Sequence, residues 1–410
     1  LPRGFLLTRY RISFDAANTF PLPGEAVSMP GSRLVFFWRN PMTDTNHTKR
    51  DVNLLIGTGG SRAILFGTGV VLALSQANFG KFRSIGGVSG GSMPASLIAT
   101  NPDASALLKE VLKTDFDKLV TRRVSLLQFL AQVIRDRKPI DPPERVGALD
   151  ATLMGQYFDT NVPDWPKLFW TMALSHQRPV IMTRNGVLHA QDDGVMASLS
   201  KNVVSMSAAI RATCAVPFLL DPVPWIDDAG EEHLLIDGGY SPEGRCPMSV
   251  PEKLFALEDS CLVVVNVGED RSHLHQMLDK VFDTQWKDEN VVTANLPDPA
   301  PANYERIIVR PALPISGSFK FRLSQREKWQ MILSGYMSAV EAFEKHGLLS
   351  GCALHRARER GLQALLLLAG RRKPYLKDVL PTQLDTVFDG LSFTSQQLEC
   401  SPVSSSADSK

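Results

Sequence analysis

Gly87-Val88-Ser89-Gly90-Gly91 has the G-x-S-x-G form, in which a serine is held on a sharp turn between a strand and a helix. Glycines are needed there because the backbone takes up strained angles and a Cβ would block an approaching group. Phe82 to Gly86 can end a strand. Ser92-Met93-Pro94-Ala95-Ser96-Leu97-Ile98-Ala99 reads as a helix with proline in its first turn, where a missing N–H costs little. Strand, turn and helix therefore surround Ser89 and make it a candidate nucleophile. The motif alone is common by chance, so an incidental serine in a glycine-rich turn stands beside that reading until other segments decide.

Upstream lies Asn53-Leu54-Leu55-Ile56-Gly57-Thr58-Gly59-Gly60-Ser61-Arg62-Ala63-Ile64-Leu65-Phe66. A buried strand over Val52 to Ile56 runs into glycines and then into an apolar helix that ends near Ala77. Such a turn leaves backbone N–H groups pointing outward beside a helix N-terminus, an anion site. Nucleotide readings fail: the sixth position of a G-x-G-x-x-G starting at Gly57 is Arg62, no acidic residue occurs between Asp51 and Asp103, and Gly-Lys-Ser/Thr is absent. An oxyanion hole uses the same donors and fits a chain with a candidate nucleophile downstream. Further on, Leu234-Leu235-Ile236-Asp237-Gly238-Gly239-Tyr240 describes a buried strand delivering a carboxylate at its C-terminal edge, where open α/β sheets place ligands. The plain alternative is an Asp-Gly hairpin corner.

In this order the segments resemble the patatin-like phospholipases, lipid acyl hydrolases related to the cytosolic phospholipases. Gly59-Gly60-Ser61-Arg62 looks like the glycine-rich oxyanion motif, Gly87 to Gly91 like the nucleophile elbow, and Asp237-Gly238-Gly239 like the motif carrying the aspartate of a Ser-Asp dyad. Ala208-Ala209-Ile210-Arg211-Ala212-Thr213-Cys214-Ala215-Val216-Pro217-Phe218 is similar to the family's alanine- and serine-rich helix ending in proline. The resemblance covers about residues 50 to 270 and implies a layered α/β fold, a central mostly parallel sheet flanked by helices. It also implies phospholipase A-type cleavage of fatty acyl esters, without cofactor or metal, through an acyl-serine intermediate. Ser89 is then the nucleophile, Asp237 the base, and the N–H groups of Gly59, Gly60 and Gly90 the oxyanion donors. The expected partner is a phospholipid or other acyl lipid, met through peripheral membrane contact. Arg62 has two readings, a headgroup contact or a structural bridge at the turn. Thr58 and Ala63 stand where the family often has glycine, and Gly244-Arg245-Cys246-Pro247 follows where many members have asparagine before proline. These departures leave the reacting groups in place and bear on substrate preference.

Two rivals remain. An α/β-hydrolase triad needs a histidine after the acid, and His273, His275, His346 and His355 are available, none in a distinctive context. A catalytically silent lipid- or protein-binding scaffold gains support from Thr58 and Ala63, and loses it from the presence of both Ser89 and Asp237. Metal is not expected: His273 and His275 fall on opposite sides of a helix, and no cluster has calcium-loop or zinc spacing.

Composition fits a globular enzyme: 410 residues, 44% hydrophobic and 21% charged. A net charge of +1 gives no reason to expect nucleic acid. Five widely spaced cysteines without a CxxC argue against a disulfide framework and for a reducing, cytoplasmic compartment. No apolar run reaches the ~18–20 residues of a membrane span, and Leu1 to Leu7 lacks the core of a signal peptide. The chain begins at Leu1 rather than Met, which leaves a removed N-terminal segment open.

Residues 1–50 read as an N-terminal arm or added strand, with a strand at Arg33 to Trp38. Residues 51–346 read as the patatin-like domain, 347–391 as a C-terminal helical region and 392–410 as a disordered Ser/Gln-rich tail. Within the domain, Ala106 to Ile134 is helical by periodicity, and Leu168 to Leu174 with Val180 to Thr183 form a strand pair. Leu262 to Val267 is a buried strand, and Gln325 to Lys345 a helix before Gly347. The Leu-rich segment 362–368, flanked by His355 to Arg360 and Arg371 to Lys373, reads as an interfacial helix or as a core helix with solvated basic flanks.

Overall fold

The computed structural model describes residues 49–123, 147–176, 178–190, 196–217, 219–240, 246–255, 257–268, 304–312, 320–369 and 380–398. Most of the expected N-terminal arm, with the strand at 33–38, lies outside them, as do His273 and His275. Buried residues build β1 (Asp51–Ile56), which runs into α1 (Gly60–Leu74) and returns through β2 (Phe82–Gly87). After the Ser89 turn come α2 (Ser92–Thr100), α3 (Ala104–Lys113), the short strands β3 (Thr121–Arg122) and β4 (Leu149–Asp150), and α4 (Thr152–Asn161). Four strands follow: β5 (Phe169–Ser175), β6 (Arg178–Thr183), β7 (Gly186–Ala190) and β8 (Met196–Ser200). Then come α5 (Met206–Thr213), β9 (Val223–Ile226), β10 (Glu232–Asp237), α6 (Ser249–Leu254), β11 (Ser260–Val265) and β12 (Tyr304–Val309). The chain closes with α7 (Gln325–Lys345), α8 (Gly351–Ala369) and α9 (Leu380–Val387).

The central sheet has the order β12-β11-β1-β2-β5-β6-β7-β8, with β10 joined to β5 and β9 to β10. From β12 to β5 every pair is parallel, as alternating strands and crossover helices require. Beyond β5 an antiparallel meander extends the sheet through β8, further than the expected pair of strands.

One edge of β5 positions the rest. Its first residues pair with β2 in parallel, ending at Gly87 opposite Thr171. Its last residues pair antiparallel with β10, Asp237 opposite Ala173 and Ile236 opposite Leu174. Ala173 and Leu174 pair with β6 on their other side, so β2 and β10 share a single edge. Their C-terminal ends therefore meet head-on at Met172.

The largest apolar cluster lies against α1 and α7. Ser324 caps α7 and Glu327 reaches back to the Ser324 N–H, a capping box that fixes the start of this helix. α1 and α7 touch backbone to backbone: a Cβ at Gly69 would stand 2.0 Å from the Ile332 carbonyl oxygen, and one at Gly335 2.1 Å from that of Phe66. Gly69 is thus part of a helix crossing.

The helix expected over Ala106 to Ile134 is corrected: it stops at Lys113, and the chain turns through a short 3-10 segment at Phe116–Lys118. Its end is capped from far along the sequence. The buried Lys328 ammonium donates to the carbonyls of Val111, Leu112 and Thr114 and lies 4.9 Å from the centre of the Phe116 ring. Residues 124–146 lie outside the described chain.

The C-terminal helices belong to the same core, through Ala357, Ala364, Leu368, Leu384 and Phe388. On α8, Leu362, Leu365 and Leu366 are exposed, so the helix has one packed face and one leucine-rich outer face. Of the tail expected from Ser392, residues to Leu398 are described: Phe393 is buried against Phe79 and Phe82, and Leu398 is partly buried against the core. No described helix is long and apolar enough to cross a membrane.

The α1–α7 contact gives a test of opposed effects. On helix propensity alone Gly335→Ala would stabilise by about 1 kcal/mol. Driving a methyl into the Phe66 carbonyl reverses the sign, and a net loss of about 1–3 kcal/mol is expected in denaturant unfolding. A variant as stable as the parent would show that the helices do not meet backbone to backbone.

Candidate active site

β2 delivers Gly87 to the sheet edge, and the next turn forces Ser89 to φ 53°. Among described non-glycine residues only Ser89, His176 and Asp259 have positive φ. Such a conformation persists only where its surroundings over-determine it, and every polar group of Ser89 is engaged. Its N–H donates to Thr213 Oγ1 at 2.9 Å, its carbonyl accepts from Ser92 Oγ at 2.6 Å, and its Oγ donates to Asp237 Oδ2 at 2.6 Å. Asp237 Oδ1 accepts from the Gly239 N–H at 2.7 Å. Ser89 and Asp237 are 6% and 2% exposed, so this pair is largely withdrawn from solvent.

Burial dominates the electrostatics. It pushes the Asp237 carboxyl up from 3.8 to about 7, while the hydrogen bonds from Ser89 and Gly239 pull the other way. No cation is among the groups that move it. The neighbouring Cys214 thiol is raised too, by burial and then by the charge on Asp237.

The two glycine-rich turns lie against each other. A Cβ at Gly90 would fall 2.2 Å from the Gly60 carbonyl oxygen and 2.7 Å from its Cα, so only glycine lets the Ser89 turn approach the start of α1. Gly59 is the N-cap of α1 and Gly60 its first residue, while Gly90 is second in the 3-10 segment Ser89–Gly91 that leads into α2. N–H groups at such positions lack intrahelical partners. Thr58, where a further glycine is usual, has no positive φ to require one, and its Cγ2 lies close against Gly239. Arg62 is 1% exposed and donates to the Gly268 carbonyl at 2.8 Å, the position of a structural bridge after β11.

Ser89, Gly60, Ser61 and Gly90 open onto a cleft of about 680 Å³, including its mouth. Its walls are almost wholly apolar: Ile64, Met93, Phe116, Met154, Phe158, Ile210, Val216 and Phe321 are among them. Arg62 is not among the lining residues. Sequence reading did not single out Thr213, Ser92 or these wall residues. Thr213 lay inside a quoted segment, but nothing local marks its hydroxyl as facing Ser89.

Of the histidines that could complete a triad, only His346 and His355 are among the described residues, and both pair elsewhere. His346 pairs with Glu305 and His355 with Glu359 on the face of α8. A different serine, histidine and aspartate do meet: His233 Nδ1 lies 3.0 Å from Ser175 Oγ and Nε2 3.3 Å from Asp227 Oδ2. Asp227 also accepts from the N–H groups of Ala229 and Glu231, so this trio ties down the β9–β10 turn at the end of β10 remote from Asp237. With Glu231, Asp227 and His233 form the one group among the described residues spaced to hold a metal.

Residues 54–244 match the family model for patatin-like phospholipases. No curated protein matches the sequence. Among solved structures the chain is similar to human GIVD cytosolic phospholipase A2, at 11% identity and a TM-score of 0.40, covering 76% of this chain and 60% of that one. VipD from Legionella pneumophila is similar at 11% identity and a TM-score of 0.31, covering 85% of this chain and 81% of that one. The type III effector ExoU of Pseudomonas aeruginosa is similar at 10% identity and 0.31, covering 85% and 68%. The chain thus spans less than two thirds of the human phospholipase's length.

The raised Asp237 carboxyl carries a stability consequence. With a folded value of about 7 against 3.8, the neutral acid's contribution is fully present below 3.8 and is lost as pH rises through about 7. Asparagine mimics the neutral acid. Asp237→Asn is therefore expected to melt above the wild type at pH 8, with the gap closing towards pH 4. An unchanged or lower Tm at pH 8 would mean that the carboxylate is not desolvated.

Proposed function

The chain belongs to the patatin-like phospholipases through residues 54–244, and on that premise we propose that it is a lipid acyl hydrolase working through a Ser89–Asp237 dyad. The observation that carries the proposal is the 2.6 Å hydrogen bond from Ser89 Oγ to Asp237 Oδ2 beside an apolar cleft. A serine hydroxyl is a weak nucleophile until a base accepts its proton. A carboxylate of ordinary acidity is a poor acceptor at neutral pH, whereas one raised to about 7 is matched to the task.

An acyl chain lies in the cleft and brings its ester carbonyl to Ser89. As Oγ attacks the carbonyl carbon, its proton passes to Asp237, and negative charge develops on the carbonyl oxygen. The N–H groups of Gly59, Gly60 and Gly90 are the donors for that charge, preorganised by the mutual contact of their turns. Collapse of the tetrahedral intermediate breaks the ester C–O bond, and the leaving alcohol takes the proton from Asp237. Water then attacks the acyl-serine, giving its proton to Asp237, and the fatty acid leaves as Ser89 regains its hydrogen. No step calls on a histidine or a metal.

Ser89→Ala and Asp237→Asn are each expected to fold and to lose at least about 10³-fold in kcat on a soluble acyl ester. A fluorophosphonate should label wild-type Ser89 and leave Ser89→Ala unlabelled. Comparable turnover by folded Ser89→Ala would remove the nucleophile assignment.

The base must be ionised, so kcat/KM is expected to fall as pH drops through about 7. Histidine titrates nearby, and temperature separates the two: a carboxylate ionises with little enthalpy, an imidazole with much. A limb that moves markedly with temperature would point to a histidine.

Chelation is expected to leave hydrolysis of a monomeric ester unchanged, because the residues spaced for a metal stand away from Ser89. Loss of turnover in EDTA, restored by one divalent ion, would overturn the metal-free mechanism.

A further inference from the structure

We infer that Thr213 is a positioning residue, whose hydroxyl holds Ser89 in register with Asp237. The inference rests on the reading of these two residues as the dyad. Thr213 is fully buried at the last turn of α5. Its Oγ1 accepts the Ser89 N–H at 2.9 Å and donates to the Met172 carbonyl at 2.5 Å. Met172 is where β2 and β10 meet on the edge of β5, one residue before Ala173, the partner of Asp237. Two residues after Thr213, the Ala215 carbonyl accepts the Asp237 N–H at 2.9 Å. One short segment thus holds both members of the dyad by their backbone N–H groups.

A hydroxyl suits this place because it accepts and donates at once. Valine has nearly the same shape and can do neither, leaving a buried N–H and a buried carbonyl unsatisfied. Ser89 stands at φ 53°, so a free N–H removes one of the bonds that keep it there. Relaxation of that turn swings Oγ away from Asp237 Oδ2. The Ser89–Asp237 bond is one of the two that lower the Asp237 carboxyl, so losing it raises that carboxyl further. Thr213 does not line the cleft, so the effect falls on turnover rather than on substrate binding. With the Ser89 N–H engaged by Thr213, the oxyanion is left to Gly90 and the Gly59–Gly60 turn.

The experiment compares wild type, Thr213→Val, Thr213→Ala and Thr213→Ser by fluorophosphonate labelling and by hydrolysis of a soluble acyl ester, with thermal unfolding as a check on each fold. For Thr213→Val we expect labelling and kcat to fall about 10- to 100-fold with KM little changed, the size that misplacement of a reacting group produces. The acidic limb of kcat/KM should move to higher pH. Thr213→Ser should recover activity to within roughly threefold of wild type and restore the limb. If the valine variant does not fold, alanine replaces it, since alanine and serine differ only in the hydroxyl. A folded valine or alanine variant that labels at the wild-type rate overturns the inference, as does a folded serine variant as slow as either. Absence of labelling in the wild type, or labelling of Ser89→Ala, strikes the dyad reading instead and is told apart by those controls.

Discussion

Two strands end against the same edge of β5, and the site depends on that sharing. β2 arrives from one direction and β10 from the other, and neither can run on without displacing its opposite. Each must leave the sheet at Met172, β2 through the Ser89 turn and β10 through Asp237-Gly238-Gly239. A parallel strand alone puts a serine at the C-terminal edge of a sheet. The antiparallel entry of β10 brings a carboxylate to meet it head-on, 2.6 Å away, with no intervening histidine. Glycine follows for steric reasons: a Cβ at Gly238 would lie 2.3 Å from the Met172 carbonyl oxygen.

That junction stores two unfavourable terms, a serine at positive φ and a carboxyl in a dry site. Strain of the first kind costs about 1–3 kcal/mol, and the second grows as the acid ionises. Both are held by hydrogen bonds that come from different elements: Thr213 from α5, Ser92 from α2 and the Gly239 N–H from the turn after β10. The same dryness raises the basicity of Asp237. Stability and the proposed chemistry therefore pull in opposite directions on a single carboxyl.

What could be read from sequence was whatever the backbone itself demands. The glycines of Gly59-Gly60 and Gly87 to Gly91 announce tight turns because side chains do not fit there. The helix over Gln325 to Lys345 is legible in its own run of residues, and the capping box of Ser324 and Glu327 is local to its start. The early end of α3 carries no such local mark, because the group that caps it, Lys328, lies more than two hundred residues away in sequence. Periodicity continued past Lys113 while tertiary contact stopped the helix. The antiparallel meander beyond β5 and the hydroxyl of Thr213 were hidden for the same reason: both are defined by partners distant in the chain. Phe393 shows the converse, an aromatic within a polar tail whose composition gave no sign that Phe79 and Phe82 await it.

α5 joins the cleft to the Ser89–Asp237 pair by its own periodicity. Ile210 and Cys214, four residues apart, share a face and line the cleft. Thr213, between them in sequence, points to β5 and takes the Ser89 N–H, and Ala215 takes that of Asp237. The helix that lines the cleft through Ile210 therefore also holds the proposed nucleophile and base. The lining also includes Phe116, whose ring lies 4.9 Å from the Lys328 ammonium that caps α3. In the proposed reaction, apolar contact with an acyl chain is carried to the Ser89–Asp237 pair through one helix, α5, without a polar contact to the chain.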